Sequence, residues 1–206
     1  AAAFEMAEQV EKLVKVYKNT KVDAQMLKDA DVDAVILAIG SSPITIKLEG
    51  MDKLQHASAP EVLRHEVCPK GKVAVIGGGL VGLETADTLA TDGCDVTVLE
   101  MKDEIGSDLG SLRKIDVMMK LQQMQVKMLP NSKVCKFTEE GIVLEDETLV
   151  PCNCAVFAVG FASNDSHLLV EECEKRQIPC RVIGDAKSAR RALDAIAEGF
   201  EAARTL

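Results

Sequence analysis

A glycine cluster between two apolar runs holds the residues of this sequence that are best suited to chemistry. The pattern GxGxxG is formed by Gly77, Gly78, Gly79, Leu80, Val81 and Gly82. Gly77 permits a tight turn, Gly79 lets the backbone approach a diphosphate because it has no Cβ, and Gly82 lets a helix pack closely on a sheet. The free N–H groups and positive dipole end of that helix attract phosphate. The cluster therefore predicts a dinucleotide-binding turn.

The second apolar run ends in a carboxylate, Glu100. It lies 18 residues beyond Gly82, close to the spacing of about 20 that is typical of dinucleotide-binding units. A carboxylate there can accept from both hydroxyls of the adenosine ribose, whereas a 2′-phosphate would meet a like charge. The sequence thus favours NAD(H) over NADP(H), although Lys102 would weaken the preference. The alternative is a strand–turn–helix that binds nothing, which the combined spacing disfavours.

Glu84 falls in the first turns of the predicted helix. One interpretation is a carboxylate stabilised by the helix dipole. The other is a group that lies near the nicotinamide ribose. Spacing alone does not distinguish them.

A strand, a helix and a second strand must surround these residues if they are to bind a dinucleotide. Val73–Ile76 is short, continuous and rich in β-branched residues, which predicts a buried parallel strand. Leu80–Ala90 is predicted to be the helix, and Gly93 to end it in a turn. Asp95–Glu100 is the second predicted strand. These segments predict a Rossmann-like α/β unit.

Further elements extend this unit to about residue 160. A helix is predicted around Leu109–Met124, with Leu112, Ile115 and Met119 on one apolar face. A third strand is predicted at Val126–Leu129. Four later strands are predicted, the first three as an antiparallel meander: Lys133–Phe137, Gly141–Glu145, Thr148–Val150 and Cys154–Val159.

Helical and strand patterns also occur on either side of this unit. Before it, a helical pattern covers about Ala7–Val16, and a strong apolar run covers Val32–Gly40. The loop that follows contains Pro43, Gly50 and Pro60. After the unit, a short strand is predicted at Arg181–Ile183 and a helix at about Ala189–Leu206. The apolar residues of this helix at core spacing are Leu193, Ile196, Ala197, Phe200 and Ala203.

The breaker residues Pro69–Gly71 mark a boundary. Together with the patterns above, they predict a dinucleotide-binding domain at residues 69–160. Residues 1–68 and 161–206 are predicted to flank it.

Composition limits the classes of protein to which the chain can belong. The formal charge of −9 argues against a broad nucleic-acid or anionic-membrane surface. No apolar stretch approaches the roughly 18 residues of a membrane helix, and the N-terminus lacks a signal-peptide pattern. The seven cysteines show no framework spacing, which indicates reduced thiols and a cytoplasmic location.

The remaining chemically reactive residues form no recognisable site. Cys152 and Cys154 alternate on one predicted strand face, but no further ligands at metal-binding spacing accompany them, so core thiols are favoured. The absence of CxxC argues against a disulfide reductase. His56, His65 and His167 lack a nucleophile or metal partner. The sequence therefore predicts neither a catalytic residue nor a metal site.

Several linked motifs resemble flavoproteins with two dinucleotide-binding domains. These motifs are VIGGGLVGLETADTLA, LAIGSSP before it, and AVG and VIGDA after it. The ending VIGDAKSARRALDAIAEGFEAA is similar to the C-terminal region of the 2-enoate reductase and 2,4-dienoyl-CoA reductase family, whose members are NADH:flavin oxidoreductases like old yellow enzyme. The resemblance covers essentially all 206 residues.

The resemblance implies an NAD domain inserted in an FAD-binding domain. In that family electrons pass from NAD(P)H to FAD, through an iron–sulfur cluster to FMN, and then to an activated C=C bond. It implies that Glu84 approaches the nicotinamide, and that Met101 and Gly160 also lie at the NAD site. Gly40 would belong to the crossover from the FAD domain. Gly184 and Asp185 would face the ribityl chain of FAD.

The departures from the family pattern imply that part of the protein is missing from this chain. The chain has one GxGxxG, no barrel and no cysteine spacing of an iron–sulfur site. FMN and the cluster would belong to an N-terminal barrel, and FAD to the full-length protein. The barrel and an FAD half-domain of the same polypeptide would be its partners. Without them, we expect an inactive chain that binds FAD weakly and self-associates through uncovered apolar faces.

Two alternatives remain open at this point. The chain would equally be the corresponding segment of another flavoprotein reductase with the same nested domains. It would otherwise be a non-enzymatic Rossmann module that senses NAD. Asp185 disfavours the sensor, which needs no carboxylate facing a ribityl chain.

Overall fold

The computed structural model describes residues 2–206, and the side chains of residue 5 and of residues 7–206. The chain divides into two compact units. The central unit is Ser41–Ala162, and the flanking unit combines Ala1–Gly40 with Ser163–Leu206. One unit is thus inserted in the sequence of the other.

Residues 2–206 contain seven α-helices and twelve strands, in the following chain order. The first flanking segment contains α1 (Ala2–Leu13), α2 (Ala24–Asp29) and β1 (Val35–Leu37). The central unit contains β2 (Ser41–Pro43), β3 (Gln55–Ser58), α3 (Ala59–Leu63), β4 (Lys72–Ile76), α4 (Leu80–Thr91), β5 (Asp95–Leu99), α5 (Ser111–Gln123), β6 (Lys127–Leu129), β7 (Val134–Thr138), β8 (Gly141–Leu144), β9 (Leu149–Pro151), β10 (Cys154–Phe157) and β11 (Phe161–Ser163). The last segment contains α6 (His167–Lys175), β12 (Cys180–Val182) and α7 (Ala192–Thr205).

A five-stranded parallel sheet forms the middle of the central unit. Its strand order is β3-β10-β4-β5-β6. Val73, Ala74 and Val75 of β4 are almost fully buried, because a strand covered on both faces needs an unbroken apolar run rather than an alternating one. The predicted α/β class with a parallel sheet is confirmed.

Each face of this sheet has its own apolar core. On one face, Val73 and Val75 belong to a cluster with Leu83 and Leu89 of α4 and Leu121 of α5. The other face contributes a cluster completed by the antiparallel strands β7, β8 and β9. The predicted antiparallel meander is therefore confirmed, and it covers one face of the sheet while helices cover the other.

The predicted buried face of α5 is wrong. Leu112, which is 84% exposed, Ile115 and Met119 all lie at the surface. The core is instead contacted by the fully buried Leu121 and by the partly buried neighbours Val117 and Met118. This helix has apolar residues on two faces. The face that contains Leu121 packs against the sheet, and the other face is exposed.

Residues 41–68 contain more structure than the predicted loop. β3 pairs with β10 and extends the parallel sheet. α3 follows at once, and Ser58 and Glu61 form a capping box at its start. The pattern S-x-x-E at these positions is a helix-start signal that the sequence does contain. The two compact units divide at Gly40, and the domain boundary predicted at residues 68 and 69 stays a prediction.

The flanking unit contains a two-stranded parallel sheet, β1 with β12. α2 lies against α6, where the guanidinium of Arg176 donates to the carbonyls of Leu27 and Ala30. A cavity of about 930 Å³ is bounded by α2, β1 and the start of α6. No helix within residues 2–206 has the length and apolar character needed to cross a membrane.

The last helix does not bury the residues predicted at core spacing. Leu193, Ile196 and Phe200 of α7 are each more than half exposed, while Ala202 is buried. α7 contacts the turn Gly184–Ala186, and its apolar face stays exposed. The first helix likewise begins and ends earlier than predicted, at Ala2–Leu13.

Candidate dinucleotide-binding site

The turn after β4 requires glycine at position 77. The φ angle of Gly77 is +110°, and a Cβ there would lie 2.4 Å from the carbonyl oxygen of Ala158. Its N–H donates to the carbonyl of Leu99 at 2.8 Å, which joins the turn to β5. The chain therefore leaves the sheet at the carboxyl ends of adjacent parallel strands, which is where open α/β sheets bind ligands.

The first turn of α4 lies directly on this glycine turn. A Cβ at Gly82 would lie 1.9 Å from the carbonyl oxygen of Gly77, so no larger residue fits without moving backbone. α4 begins at Leu80 with Gly79 as its N-cap, a residue without a side chain to accept from the first N–H groups. An external acceptor has to satisfy them.

The carboxylate of Glu100 lies at the same turn. Its Oε2 accepts from the N–H of Gly78 at 2.7 Å, and its Oε1 accepts from the N–H of Lys102 at 2.9 Å. Glu100 follows β5, which pairs with β4, so the two strand ends bring these residues together. Each carboxylate oxygen has a second lone pair. The geometry leaves acceptor capacity for ribose hydroxyls beside the glycine turn.

A second carboxylate, Asp108, occupies the start of α4. Its two oxygens lie 3.1 and 3.0 Å from the N–H of Leu80, which donates to them. Asp108 Oδ2 would be 3.1 Å from a Cβ at Gly79. An anionic group of the protein thus lies where the helix dipole and the missing Cβ favour a phosphate.

Asp108 was not singled out by the sequence patterns. It belongs to the segment between β5 and α5, for which no spacing rule relates a carboxylate to the glycine turn. The only sequence signal is its place in GSDLG, a short stretch of turn-forming residues.

The residues at this turn fit a dinucleotide. The first N–H of α4 already donates to a carboxylate, so the start of this helix accommodates an anion. Glu100 supplies an acceptor for hydroxyl groups, and the open side of Gly79 allows close approach. A diphosphate at the helix start and a ribose at Glu100 would use these groups.

Glu84 forms an ion pair rather than pointing to a free site. Its Oε1 lies 2.7 Å from an Nη of Arg113, which belongs to α5. Both side chains are about half exposed, and ion pairs at such positions contribute about 0–1 kcal/mol. The structure places Glu84 in the second turn of α4, and its predicted role beside the nicotinamide stays a prediction.

Met101 and Gly160 lie at the same edge of the sheet. Met101 is largely exposed and directly follows Glu100. Gly160 has a φ of +104° and accepts from the N–H of Ile44 at 3.0 Å. It comes two residues after Ala158, whose carbonyl borders Gly77. Both predicted residues therefore accompany the glycine turn in the central unit.

Comparison with known proteins identifies the family. A family model described as pyridine nucleotide-disulphide oxidoreductase matches residues 2–185. The chain belongs to this family. Membership implies binding of FAD and NAD(P)H.

Two curated relatives of the chain are reductases by name. The chain is 36% identical over 191 residues to a bilirubin reductase of Mediterraneibacter gnavus, covering 89% of this chain and 29% of that protein. It is 35% identical over 202 residues to a cinnamate reductase of Clostridium sporogenes, covering 94% and 29%. The chain thus spans under a third of the length of these two relatives.

A solved structure shows the same fold. The complex of 2-naphthoyl-CoA reductase with 2-naphthoyl-CoA superposes with a TM-score of 0.85 at 24% identity. The match covers 97% of this chain and 31% of that one. The two proteins therefore share the fold along nearly all of this chain.

The residues predicted to face FAD lie in the flanking unit. Gly40 and Gly184 follow β1 and β12, whose register pairs Leu37 with Val182, so both glycines come just after neighbouring parallel strand ends. Their φ angles are +74° and +60°. Asp185 accepts from the backbone N–H of Arg190 at 3.2 Å.

A partly exposed carboxylate, Glu198 of α7, holds this turn. A guanidinium N–H of Arg190 donates to its Oε1, and the N–H of Gly184 donates to its Oε2 at 2.7 Å. Lys187 adds a contact of 3.2 Å. The hydrogen bond from Arg190, followed by that from Gly184, lowers the pKa of Glu198 from 4.5 to about 2. The turn is therefore held by an ionised group at neutral pH.

The flanking unit lacks one part that an FAD site needs. The one GxGxxG of the chain belongs to the central unit. Residues 2–40 and 163–206 therefore offer the Gly184–Asp185 turn but no glycine turn for the diphosphate of FAD. These residues alone do not fit FAD, although the family binds it.

The predicted common face of Cys152 and Cys154 is wrong. Cys152 packs in the core on the meander side of the sheet, and Cys154 packs on the helical side. Asn153 lies outside the strands. Its side-chain Oδ1 accepts from the N–H of Lys72, and its own N–H donates to the carbonyl of Lys72. The strand alternation of side chains is therefore interrupted between Cys152 and Cys154. Burial raises the pKa of each thiol to about 11. Within residues 2–206 no group of three or more His, Cys, Asp or Glu side chains has the arrangement of a metal site.

Proposed function

We propose that the chain is the pyridine-nucleotide-binding segment of a flavin-dependent oxidoreductase and that it binds NADH at the glycine turn. The observation that carries the proposal is the position of the Glu100 carboxylate, 2.7 Å from the N–H of Gly78. NADH supplies a hydride when it is bound. In the full-length protein, FAD receives that hydride.

The proposed binding mode assigns a separate task to each part of the turn. The first N–H groups of α4 bind the diphosphate, and the absence of a side chain at Gly79 allows it to approach. Glu100 accepts from the adenosine ribose hydroxyls. A 2′-phosphate would be repelled by the same carboxylate, so NADH is preferred to NADPH.

The finer proposal is that the full-length protein reduces an activated C=C bond. The names of the two curated relatives support it, because cinnamate and bilirubin both contain C=C bonds conjugated with a carbonyl group. The resemblance of the C-terminal motifs to 2-enoate and 2,4-dienoyl-CoA reductases supports it as well. The substrate, FMN and the iron–sulfur cluster would then be held by an N-terminal barrel of the same polypeptide, in the cytoplasm.

One feature favours this proposal over an NAD sensor. Gly184–Asp185 comes just after β12 and near Gly40, an arrangement for which a sensor has no use. The corresponding segment of another nested flavoprotein reductase is the remaining alternative.

Titration calorimetry of the 206-residue chain with NADH and NADPH tests the binding proposal. We expect NADH to bind more tightly than NADPH at low salt. Gly79→Val should abolish binding, because its side chain would occupy the space left for the diphosphate. Gly110→Val is the matched control, since no atom lies within 4 Å of a Cβ there and its φ is −65°. An unchanged affinity of Gly79→Val, with the far-ultraviolet circular dichroism of the wild type, would contradict the proposal.

A further inference from the structure

The carboxylate of Asp108 occupies the position at which the proposed function needs a phosphate. Both of its oxygens accept from the N–H of Leu80, at 3.1 and 3.0 Å, and it lies over the open side of Gly79. Asp108 is thus the side chain that accepts from the first N–H of α4. The anion at the start of α4 is therefore a carboxylate of the protein itself.

The segment that carries Asp108 is anchored on both sides of it. The N–H of Gly106 donates to the carbonyl of Gly78 at 2.7 Å. Ile105 is buried, and its Cγ1 would lie 3.2 Å from a Cβ at Gly78. Leu109 packs against the helical core. These anchors hold the backbone of Asp108 beside the start of α4.

The side chain of Asp108 can nevertheless leave without disrupting its anchors. The residue is exposed, whereas Ile105 and Gly106 are buried. A rotation about its χ angles brings the carboxylate into water while the bond from Gly106 to Gly78 stays formed. Two states of one side chain are therefore available on an otherwise unchanged backbone.

A dinucleotide diphosphate and the Asp108 carboxylate cannot share this position. A backbone N–H has one proton to donate, and Leu80 already directs it at Asp108. The two groups are also of like charge, and like charges about 4 Å apart repel by about 1 kcal/mol even in water. One of the two must move when a diphosphate reaches the start of α4.

We propose that Asp108 is an internal competitor of the nucleotide: its carboxylate caps α4 in the nucleotide-free protein and is displaced by the diphosphate of NADH. The inference deepens the proposed function and rests on it for the identity of the ligand. Asp108 lowers the affinity for NADH, and it protects the helix start from other anions when NADH is absent. It acts on binding and does not touch the reacting atoms.

Calorimetry with NADH and with inorganic pyrophosphate tests this inference on three variants of the 206-residue chain. Asp108→Ala removes the cap and the charge, and we expect roughly 3- to 30-fold tighter binding of both ligands, the range that corresponds to loss of a competing N-cap. Asp108→Asn keeps an acceptor but not the charge, and should give a smaller gain. Asp103→Ala, an exposed carboxylate of the same segment, should change neither affinity more than about 2-fold.

Two further readouts separate competition from a structural role. Without ligand, Asp108→Ala should unfold at a lower temperature than the wild type, because α4 loses its cap. The amide resonance of Leu80 should shift in Asp108→Asn, and saturating NADH should bring it to the same position in wild type and variant. If Asp108→Ala is too unstable to purify, the affinities of Asp108→Asn and the Leu80 amide resonance test the competition.

The possible outcomes distinguish the two proposals. If the wild type binds NADH and both Asp108 variants bind it no more tightly, the competition is wrong and the proposed function stands. Weaker binding by the variants would overturn it also, because Asp108 would then be a ligand-binding group. If neither the wild type nor any variant binds NADH, the proposed function fails. The affinity for pyrophosphate then tests the competition by itself: tighter binding by Asp108→Ala supports the competition, and unchanged binding overturns it.

Discussion

The Glu100 carboxylate accepts from the backbone N–H of Gly78 at 2.7 Å, although 22 residues separate them in the sequence. The contact joins the end of β5 to the turn that follows β4. One group thereby performs two tasks, since it restrains the glycine turn and retains lone pairs for a ligand. A substitution at Glu100 should consequently affect both selectivity and stability.

Replacing Glu100 should reduce the discrimination against NADPH. In Glu100→Gln we expect the ratio of the dissociation constants for NADPH and NADH to fall by roughly 5-fold, because a like-charge repulsion of about 1 kcal/mol is removed. Calorimetry at low salt measures both constants. Glu104→Gln removes a carboxylate that pairs with Lys114 instead, and its ratio should equal that of the wild type. A ratio unaffected by Glu100→Gln would show that this carboxylate does not face the ribose.

Gly82 and Gly199 are both helical glycines, and alanine should have opposite effects on them. A Cβ at Gly82 would lie 1.9 Å from the carbonyl oxygen of Gly77, whereas a Cβ at Gly199 would lie 3.7 Å from Cδ1 of Ile183. We expect Gly82→Ala to lower the free energy of unfolding by about 1–3 kcal/mol or more. Gly199→Ala should raise it by about 0.5–1 kcal/mol through helix propensity. Urea unfolding measures both, and similar shifts of the same sign would contradict the close contact at Gly82.

The Glu198 carboxylate should make stability depend on pH in the acid range. Its folded-state pKa of about 2 lies below the ordinary 4.5, so its contribution is complete above pH 4.5 and is lost as the pH falls towards 2. Thermal unfolding of wild type and Glu198→Gln should therefore differ most at neutral pH and converge below pH 4.5.

Glu201→Gln is the control for this experiment. Glu201 is on the same helix and pairs with Arg204 at 2.9 Å on the surface, where such pairs contribute little. Its melting temperature should follow that of the wild type at every pH. A difference between wild type and Glu198→Gln that stays constant down to pH 2 would contradict the lowered pKa.

The buried cysteines should resist thiol reagents. The pKa of Cys152 and Cys154 is about 11, so about one thiol in a thousand is ionised near pH 8. Mass spectrometry after brief treatment with iodoacetamide should find label on the exposed Cys68 and Cys135 and none on the buried pair. Unfolding in guanidinium chloride should make all seven cysteines reactive. Rapid native labelling of Cys152 or Cys154 would contradict their burial.

The exposed apolar face of α7 should cause self-association. Leu193 and Phe200 are 76% and 71% exposed, and contiguous apolar surface of this kind promotes contact between molecules. Sedimentation velocity should show the sedimentation coefficient rising with concentration, and the double substitution Leu193→Ser and Phe200→Ser should abolish the rise. The exposed Leu112 of α5 provides the comparison, because Leu112→Ser leaves α7 intact. Self-association that persists in the double variant would assign it to another surface.

The sequence allowed the glycine turn, its neighbouring strands and Glu100 to be predicted because their signals are local. Glycines at 77, 79 and 82 act on the backbone within one turn, and an unbroken apolar run identifies a strand that is buried on both faces. The parallel pairing of β4 with β5 then follows from the βαβ pattern. The meander can be predicted for the same reason, since each of its short strands pairs with the next strand in the chain.

The errors occurred where distant segments decide between local alternatives. α5 has apolar residues on two faces, and only the position of the sheet determines that Leu121 is buried and Leu112 is not. β3 is a short strand whose place in the sheet depends on pairing with β10, about 100 residues later. Asp108 reaches α4 through the path of a whole connecting segment, for which residue types and spacing carry no signal.

The pairing of β2 with β11 bears on the order in which the protein folds. These strands contain the two points at which the chain enters and leaves the central unit. β1 and β12 are far apart in sequence, and closing a long unfolded loop between them has an entropic cost that rises with its length. A folded central unit removes most of that cost, since it already holds its own ends together. Folding of the central unit should therefore precede, and nucleate, that of the two flanking segments.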